Sequence, residues 1–373
     1  MIINNYMIYS KIIRPLLFKI DPETIHTLVA GGGELVARVP ILSKLLRSYF
    51  RVSPANLSVH AFGVDLPHPI GLSAGFDKDA KYVHFTEQFG FAFEEIGSIT
   101  GKPYKGNEKP RLRRLLKNQS LVVNYGLKGE GADRVYKRMS GLRTQFPFGI
   151  SMAKTNSPTC VGQTAIEDYA YVYKTFRNLG VYDTLNLSCP NTKDGTPFSD
   201  PQALEELLKK IVMLRKELNV QKKLFIKIGP DIQGEHLDTI LRLIDLYKVD
   251  GIIISNLFKD LSRAHTFLPY PEEHSLSWKG GISGMAVQQA SLQLIKEVYK
   301  KTNGKLFIIG CGGIYSAEDA YAKIRAGASL LQLITGFIYG GPSTIRTIVL
   351  GLSALLKRDG FATLDEVRGK DVL

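Results

Sequence analysis

Cysteine is scarce in this 373-residue chain: Cys160, Cys189 and Cys311 are the only three, and none forms a CxxC pair. That argues against a disulfide framework or a structural zinc site and for a reducing compartment. The seven histidines are scattered without an HExxH motif, so no metal site is legible. No run of about 18 apolar residues occurs, so no transmembrane helix is predicted. The opening stretch, MIINNYMIYSKIIRPLLFKIDPETIHTL, is apolar but carries Lys11, Arg14 and Lys19 and is interrupted at Arg14-Pro15. It lacks a small-residue cleavage site and does not read as a signal peptide. Acidic residues are also in short supply, 35 against 48 basic ones, for a net charge of +13. This favours anionic partners: nucleic acid, acidic lipid, phosphate cofactors or carboxylate substrates. The basic residues are spread along the chain and not interleaved with aromatics in clusters, which disfavours nucleic acid.

What is present is a repeated pattern. Hydrophobic residues at 44% and charged residues at 22% exclude a disordered, collagenous or coiled-coil chain. Short β-rich runs alternate with helical stretches. Strands are expected over 69–77, 91–100, 148–154, 183–189, 223–229, 250–256, 305–310 and 330–335. Helical periodicity is clear over 201–218, 234–247, 286–301, 316–326 and 342–357. The strands read as continuous apolar runs, as buried parallel strands do. Eight βα units imply an α/β fold, a TIM (β/α)8 barrel spanning 51–373, with its site at the C-terminal strand ends. Residues 1–50 read as an N-terminal helical extension, two helices at roughly 6–20 and 22–48, with Gly31–Gly33 weakening the second. That segment is either a packing appendage or a monotopic membrane foot, since Ile, Leu and Phe sit beside basic residues. Residues 57–69 resemble a hairpin closing the barrel bottom.

Polar residues collect just after the strands, as a barrel enzyme requires. Gly310-Cys311-Gly312-Gly313 and Thr335-Gly336 fall in the two loops that commonly bind phosphate in this fold. With no P-loop motif, a mononucleotide such as FMN is the expected ligand. Lys227 lies within an apolar strand (LFIKIG), where an unpaired charge is costly. It is either a snorkelling side chain or a cation facing the mouth, able to stabilise negative charge on a reduced flavin. Lys78, between Asp77 and Asp79, is either a local ion-pair partner or a fixed charge near flavin and substrate carboxylate. Cys189 ends the fourth strand in Asn186-Leu187-Ser188-Cys189-Pro190-Asn191, between asparagines suited to a planar amide or carboxylate. Cys160 and Cys311 read as structural.

At these residues the chain resembles the dihydroorotate dehydrogenases, FMN enzymes of pyrimidine synthesis. GLSAGFDKD, EIGSITGKPYKGNEKPRLRRL, LNLSCPNT, IKIGPD, GGISG, IIGCGGI and GASLLQLITGFIYGGP follow that family in order. The RPLLFKIDPETIH stretch and the AGFDKD loop are most similar to the membrane-associated, quinone-using class. The resemblance implies FMN contacts from Ala74, Gly75, Lys78, Ser98, Ser151, Asn186, Lys227, Ser255, Gly284, Gly313, Ile334 and Thr335. It implies substrate contacts from Lys78, Asn124, Tyr125, Gly126, Leu127, Asn186, Asn191 and Asn256, with Cys189 as general base. The expected partners are dihydroorotate and orotate, a quinone acceptor and the cytoplasmic face of the cell membrane as a peripheral surface. Three departures stand out. Cys189 replaces the usual Ser and is similar to the classes using fumarate or NAD. Val123-Asn124-Tyr125-Gly126-Leu127 replaces an NRMGF-type loop. Ser151 replaces an Asn. These leave open a different acceptor, or a related FMN barrel with another planar substrate.

Overall fold

In the computed structural model, residues 8–188, 198, 200–268, 270 and 277–372 are described. Eight strands are the frame: β1 (Ile70–Leu72), β2 (Phe93–Ile99), β3 (Phe148–Met152), β4 (Tyr182–Asn186), β5 (Lys223–Ile228), β6 (Gly251–Ile254), β7 (Phe307–Cys311) and β8 (Leu330–Leu333). Each pairs in parallel with the next and β8 closes on β1, so the sheet is a barrel with no free edge. All eight expected strands are there. Outward positions such as Leu224, Ile226 and Ile228 are buried against the surrounding helices. Inward positions of the same strand are Phe225 and Lys227, an alternation set by the two-residue period of a strand.

The barrel interior is layered. Its lower layer is aromatic, with Phe93, Tyr182, Phe225 and Phe307 grouped around Phe62. Phe62 sits at the tip of the expected hairpin, where Val59–Ala61 pairs antiparallel with Val64–Leu66. Its φ of +56° and that of Gly63, +77°, suit a tight turn between right-twisted strands. Small residues make room for the rings: a side chain at Gly149 would meet the Tyr182 ring at 2.1 Å. This plug shuts the lower end and leaves the C-terminal end for chemistry.

The N-terminal extension departs from expectation. Helix Pro22–Ala37 runs unbroken through Gly31–Gly33, and the break falls at Arg38-Val39, before helix Pro40–Phe50. The two helices meet at 109°. Val39 takes an extended conformation because Pro40 disfavours helical backbone in the residue before it. Gly33 serves packing, since a Cβ there would sit 2.1 Å from the Phe85 ring, whereas Gly31 and Gly32 face open space. No single helix among the described residues is long and apolar enough to cross a membrane.

A second unexpected element lies over the mouth. Strands Leu112–Leu115, Ser120–Val123 and Gly281–Gly284 form a three-stranded antiparallel sheet. The sequence pattern predicts no strand in these segments, each of which is only four residues long.

Candidate functional site

A cavity of about 500 Å³ opens at the C-terminal end of the barrel and runs on beneath the N-terminal helices. Its inner pole collects most of the residues singled out in the sequence. Ala74, Gly75, Lys78, Ser98, Asn186, Lys227, Ser255, Asn256, Gly284, Gly313, Ile334 and Thr335 all line it, with Tyr125, Gly126 and Leu127 from the mouth sheet's flank.

Lys227 is only 4% exposed. Its Nζ donates to Ser73 Oγ at 2.9 Å and lies 3.7 Å from Glu95 Oε1. It does not snorkel to solvent; it is held as a buried cation under the cavity. Asn186, at the end of β4, donates through Nδ2 to Ser98 Oγ at 2.8 Å and accepts from Asn256 Nδ2 at 3.0 Å. Ser98 in turn bonds Ser151 Oγ at 2.7 Å. Four strand ends are thereby locked to one another, which fixes the amide planes before any ligand arrives.

Asp77 explains the shape of the AGFDKD loop. Its carboxylate accepts backbone N–H bonds from Asp79, Lys81 and Tyr82, turning the chain tightly. Burial nevertheless raises its pKa to about 6. Lys78 makes no ion pair with either neighbouring aspartate. Its ammonium donates to Gly75 O at 2.7 Å and rests 4.2 Å from the Tyr125 ring centre. Desolvation lowers its pKa to about 8.

At the far side, the glycine loops meet. Gly313 has φ +67°, a conformation that favours glycine. A Cβ on Gly336 would lie 1.9 Å from Ile314 O, so the loops after β7 and β8 touch backbone to backbone. Ser283 Oγ and Thr335 Oγ1 bond at 2.9 Å beside them. Gly284 precedes helix Met285–Lys301 and offers it no side-chain cap, while Ala286 N–H in the first turn donates to Ser120 Oγ at 3.4 Å. Backbone amides at a helix start favour an anion.

Four expected residues stand differently. Ser151 reaches the cavity only through Ser98. Asn124 turns aside: its Oδ1 accepts from Asn107 Nδ2 at 3.0 Å. Cys189 and Asn191 lie outside the described residues; the chain leading to them is pinned, since Ser188 Oγ donates to Lys227 O and Ser188 O accepts from Asn256 Nδ2, both at 3.2 Å. Cys311, read as structural, lines the cavity and donates to Ser73 Oγ at 3.5 Å.

The outer pole is apolar. Ile13, Leu17 and Val29 of the N-terminal helices face Phe85, Phe89 and Phe337 across it. His26, Arg114 and Tyr9 are polar residues there, and the His26 ring lies 4.7 Å from Phe76. Its Nε2 has no hydrogen-bond partner among the described residues. Burial, with the nearby Lys78 charge, lowers its pKa to about 4, so it is neutral at pH 7. Sequence reasoning missed His26, Ser73 and Glu95. Glu95 carried the same signal as Lys227, a charge inside an apolar strand.

Comparison with known proteins fits this geometry. The profile described as "Dihydroorotate dehydrogenase" matches residues 56–356. The chain belongs to the dihydroorotate dehydrogenase family. A relative from Thermobifida fusca named dihydroorotate dehydrogenase (quinone) is 35% identical, covering 98% of this chain and 97% of its own length. A protein of the same name from Acidithiobacillus ferrooxidans is 36% identical over 96% of this chain and 98% of its own. Among solved structures, Eimeria tenella DHODH in complex with ferulenol superposes with a TM-score of 0.81 at 29% identity, covering 94% of this chain and 96% of that one. As a dihydroorotate dehydrogenase family member, the chain matches these relatives through its N-terminal helices as well as its barrel.

Proposed function

We propose that this protein oxidises dihydroorotate to orotate in pyrimidine synthesis, with FMN as its prosthetic group and a quinone as electron acceptor. One observation carries the reading: a single cavity joins a polar, glycine-lined pole at the barrel mouth to an apolar pole built by the N-terminal helices.

The residues fit FMN. Asn186, Ser98, Lys78 and the buried Lys227 would offer donors to a flavin ring, and Gly313, Gly284 and Thr335 would hold its phosphate. Bound there, FMN would supply hydride acceptance and onward electron transfer. The protein's own residues prepare that transfer. Asn186 and Asn256, locked together, orient the substrate ring; Asn191, Tyr125, Gly126 and Leu127 complete its site. Asn124 acts through Asn107, which holds the loop. Lys78 faces the substrate carboxylate. Cys189 removes the C5 proton as general base; a free cysteine thiol has a pKa of about 8.5, so the rate is expected to rise with pH. Lys227 counters negative charge accumulating above it.

His26 offers its Nε2 to a quinone carbonyl within largely apolar walls. Residues 1–50 form the foot, and 51–373 the catalytic barrel. Leu35 and Ile41 of the foot are 69% and 74% exposed, beside other bare apolar side chains. A patch of this kind flanked by Lys and Arg suits the surface of an anionic membrane, and we place the protein there, on the cytoplasmic face.

The test is anaerobic stopped-flow reduction by dihydroorotate, then reoxidation with ubiquinone, menaquinone, fumarate and NAD in parallel. The flavin released on denaturation is identified by mass. FMN, rapid reduction and preferential reoxidation by a quinone are expected. Absence of flavin reduction, together with no spectral shift at saturating orotate, would refute the substrate; fastest reoxidation by fumarate or NAD would refute the acceptor.

A further inference from the structure

We propose that Glu95 is a positioning residue that sets the reduction potential of the bound cofactor, by holding and partly neutralising the Lys227 cation; this rests on the reading that FMN occupies the cavity. Glu95 lies on β2 and faces into the barrel, 1% exposed. Its two oxygens are treated differently. Oε2 accepts from Tyr182 OH, Thr184 Oγ1 and Gln332 Nε2, each at 3.2 Å. Oε1 has no hydrogen-bond donor among the described residues and faces Lys227 Nζ at 3.7 Å.

Three donors from β4 and β8 converge on one oxygen of the carboxyl group. They prevent it from rotating, so the remaining oxygen points at the ammonium. Lys227 is held from its other side by Ser73. The cation therefore has a fixed place, and its field is offset by an anion on the side away from the cavity.

Stability does not account for the arrangement. Replacing a buried ion pair by well-packed apolar residues is often neutral or stabilising. The lower layer of this same barrel is apolar and aromatic, so apolar packing is available here. What an ion pair adds is a defined electrostatic potential in a medium of low dielectric. A free Lys227 would favour the reduced, more negative cofactor strongly. Paired with Glu95, it favours it less, which leaves the electrons easier to pass on.

The experiment measures the midpoint potential of bound FMN in the full-length holoenzyme for wild type, Glu95→Gln, Lys227→Met and the double variant. Glu95→Gln removes the anion at nearly constant shape and should shift the potential positive. Lys227→Met leaves the anion alone and should shift it negative. The double variant should return most of the way to wild type. It buries no unpaired charge, so comparison with Lys227→Met decides the matter even if Glu95→Gln fails to fold. A merely structural Glu95 changes stability or FMN affinity but leaves the potentials of FMN-loaded proteins equal. Equal potentials for Glu95→Gln and wild type, or for Lys227→Met and the double variant, would overturn the inference. A wild-type protein that carries no FMN fails at the earlier step and overturns the cofactor reading itself.

Discussion

Replacing Glu23 with Gln should loosen the N-terminal foot from the barrel mouth. Glu23 sits in the first turn of helix Pro22–Ala37. Its carboxylate takes two bonds from Arg111, at 2.6 and 2.9 Å, and a third from Lys128 at 2.7 Å. Arg111 also donates to Lys105 O and Asn107 O, so this one carboxylate ties the foot to the loop that carries the substrate contacts. Burial opposes ionisation of Glu23, but the bonds from Arg111 and Lys128 outweigh it and lower the pKa from an ordinary 4.5 to about 2. At about 1.4 kcal/mol per unit, that shift sets a ceiling of roughly 3 kcal/mol. Lys128 is 42% exposed, and solvent screens its share. A loss of about 2 kcal/mol at pH 7 is the expected size. The sign follows from the depressed pKa. The stabilisation is complete above 4.5 and disappears as pH falls from 4.5 towards about 2. Urea unfolding followed by the single tryptophan, Trp278, whose ring lies 4.6 Å from the Arg113 guanidinium, reports on this region. The gap between wild type and Glu23→Gln should be near its full value at pH 7 and should narrow between pH 5 and pH 3. No gap at pH 7, or a gap unchanged at pH 3, would refute the reasoning.

Three further outcomes are expected. Cys189→Ala should slow flavin reduction by dihydroorotate about 10²–10⁴-fold while FMN stays bound; a normal stopped-flow rate would remove Cys189 from the base role. His26 is held neutral by burial, with a pKa of about 4. Its contribution is whole above pH 6.5 and falls away towards pH 4. His26→Leu should therefore lose less stability than wild type between pH 7 and pH 5, by about 1–2 kcal/mol in paired thermal melts; parallel losses would contradict this. Phe62→Ala opens the aromatic plug beneath the barrel and should cost about 2–3 kcal/mol in denaturant titrations, with dihydroorotate turnover unchanged at low temperature. A large drop in turnover there would show that the plug and the mouth are coupled.

The local pattern of residues carried the frame of this protein. Each barrel strand is buried on both faces, so each announces itself as a short apolar run, and eight such runs with helical periods between them admit few other closed arrangements. The site was legible for a related reason. Lys227 within LFIKIG and the glycines after β7 and β8 are anomalies in their own segments, and an anomaly needs no partner to be noticed.

Partners were what local sequence could not supply. Lys227 is bonded to Ser73, 154 residues away, and Asn186 to Ser98, 88 residues away. The mouth sheet pairs Val123 with Gly281, and nothing in either four-residue segment names the other. The close fit of Gly33 against the Phe85 ring joins the foot to a residue some fifty positions on, which the foot's own sequence does not name. The neutral His26 and the one-sided Glu95 owe their states to burial by distant elements. Composition and period determine which segments are buried, because burial of a strand or helix face is a property of that segment. Which charges meet, and which cavity they share, was decided only when the closed barrel brought remote strand ends within hydrogen-bond reach.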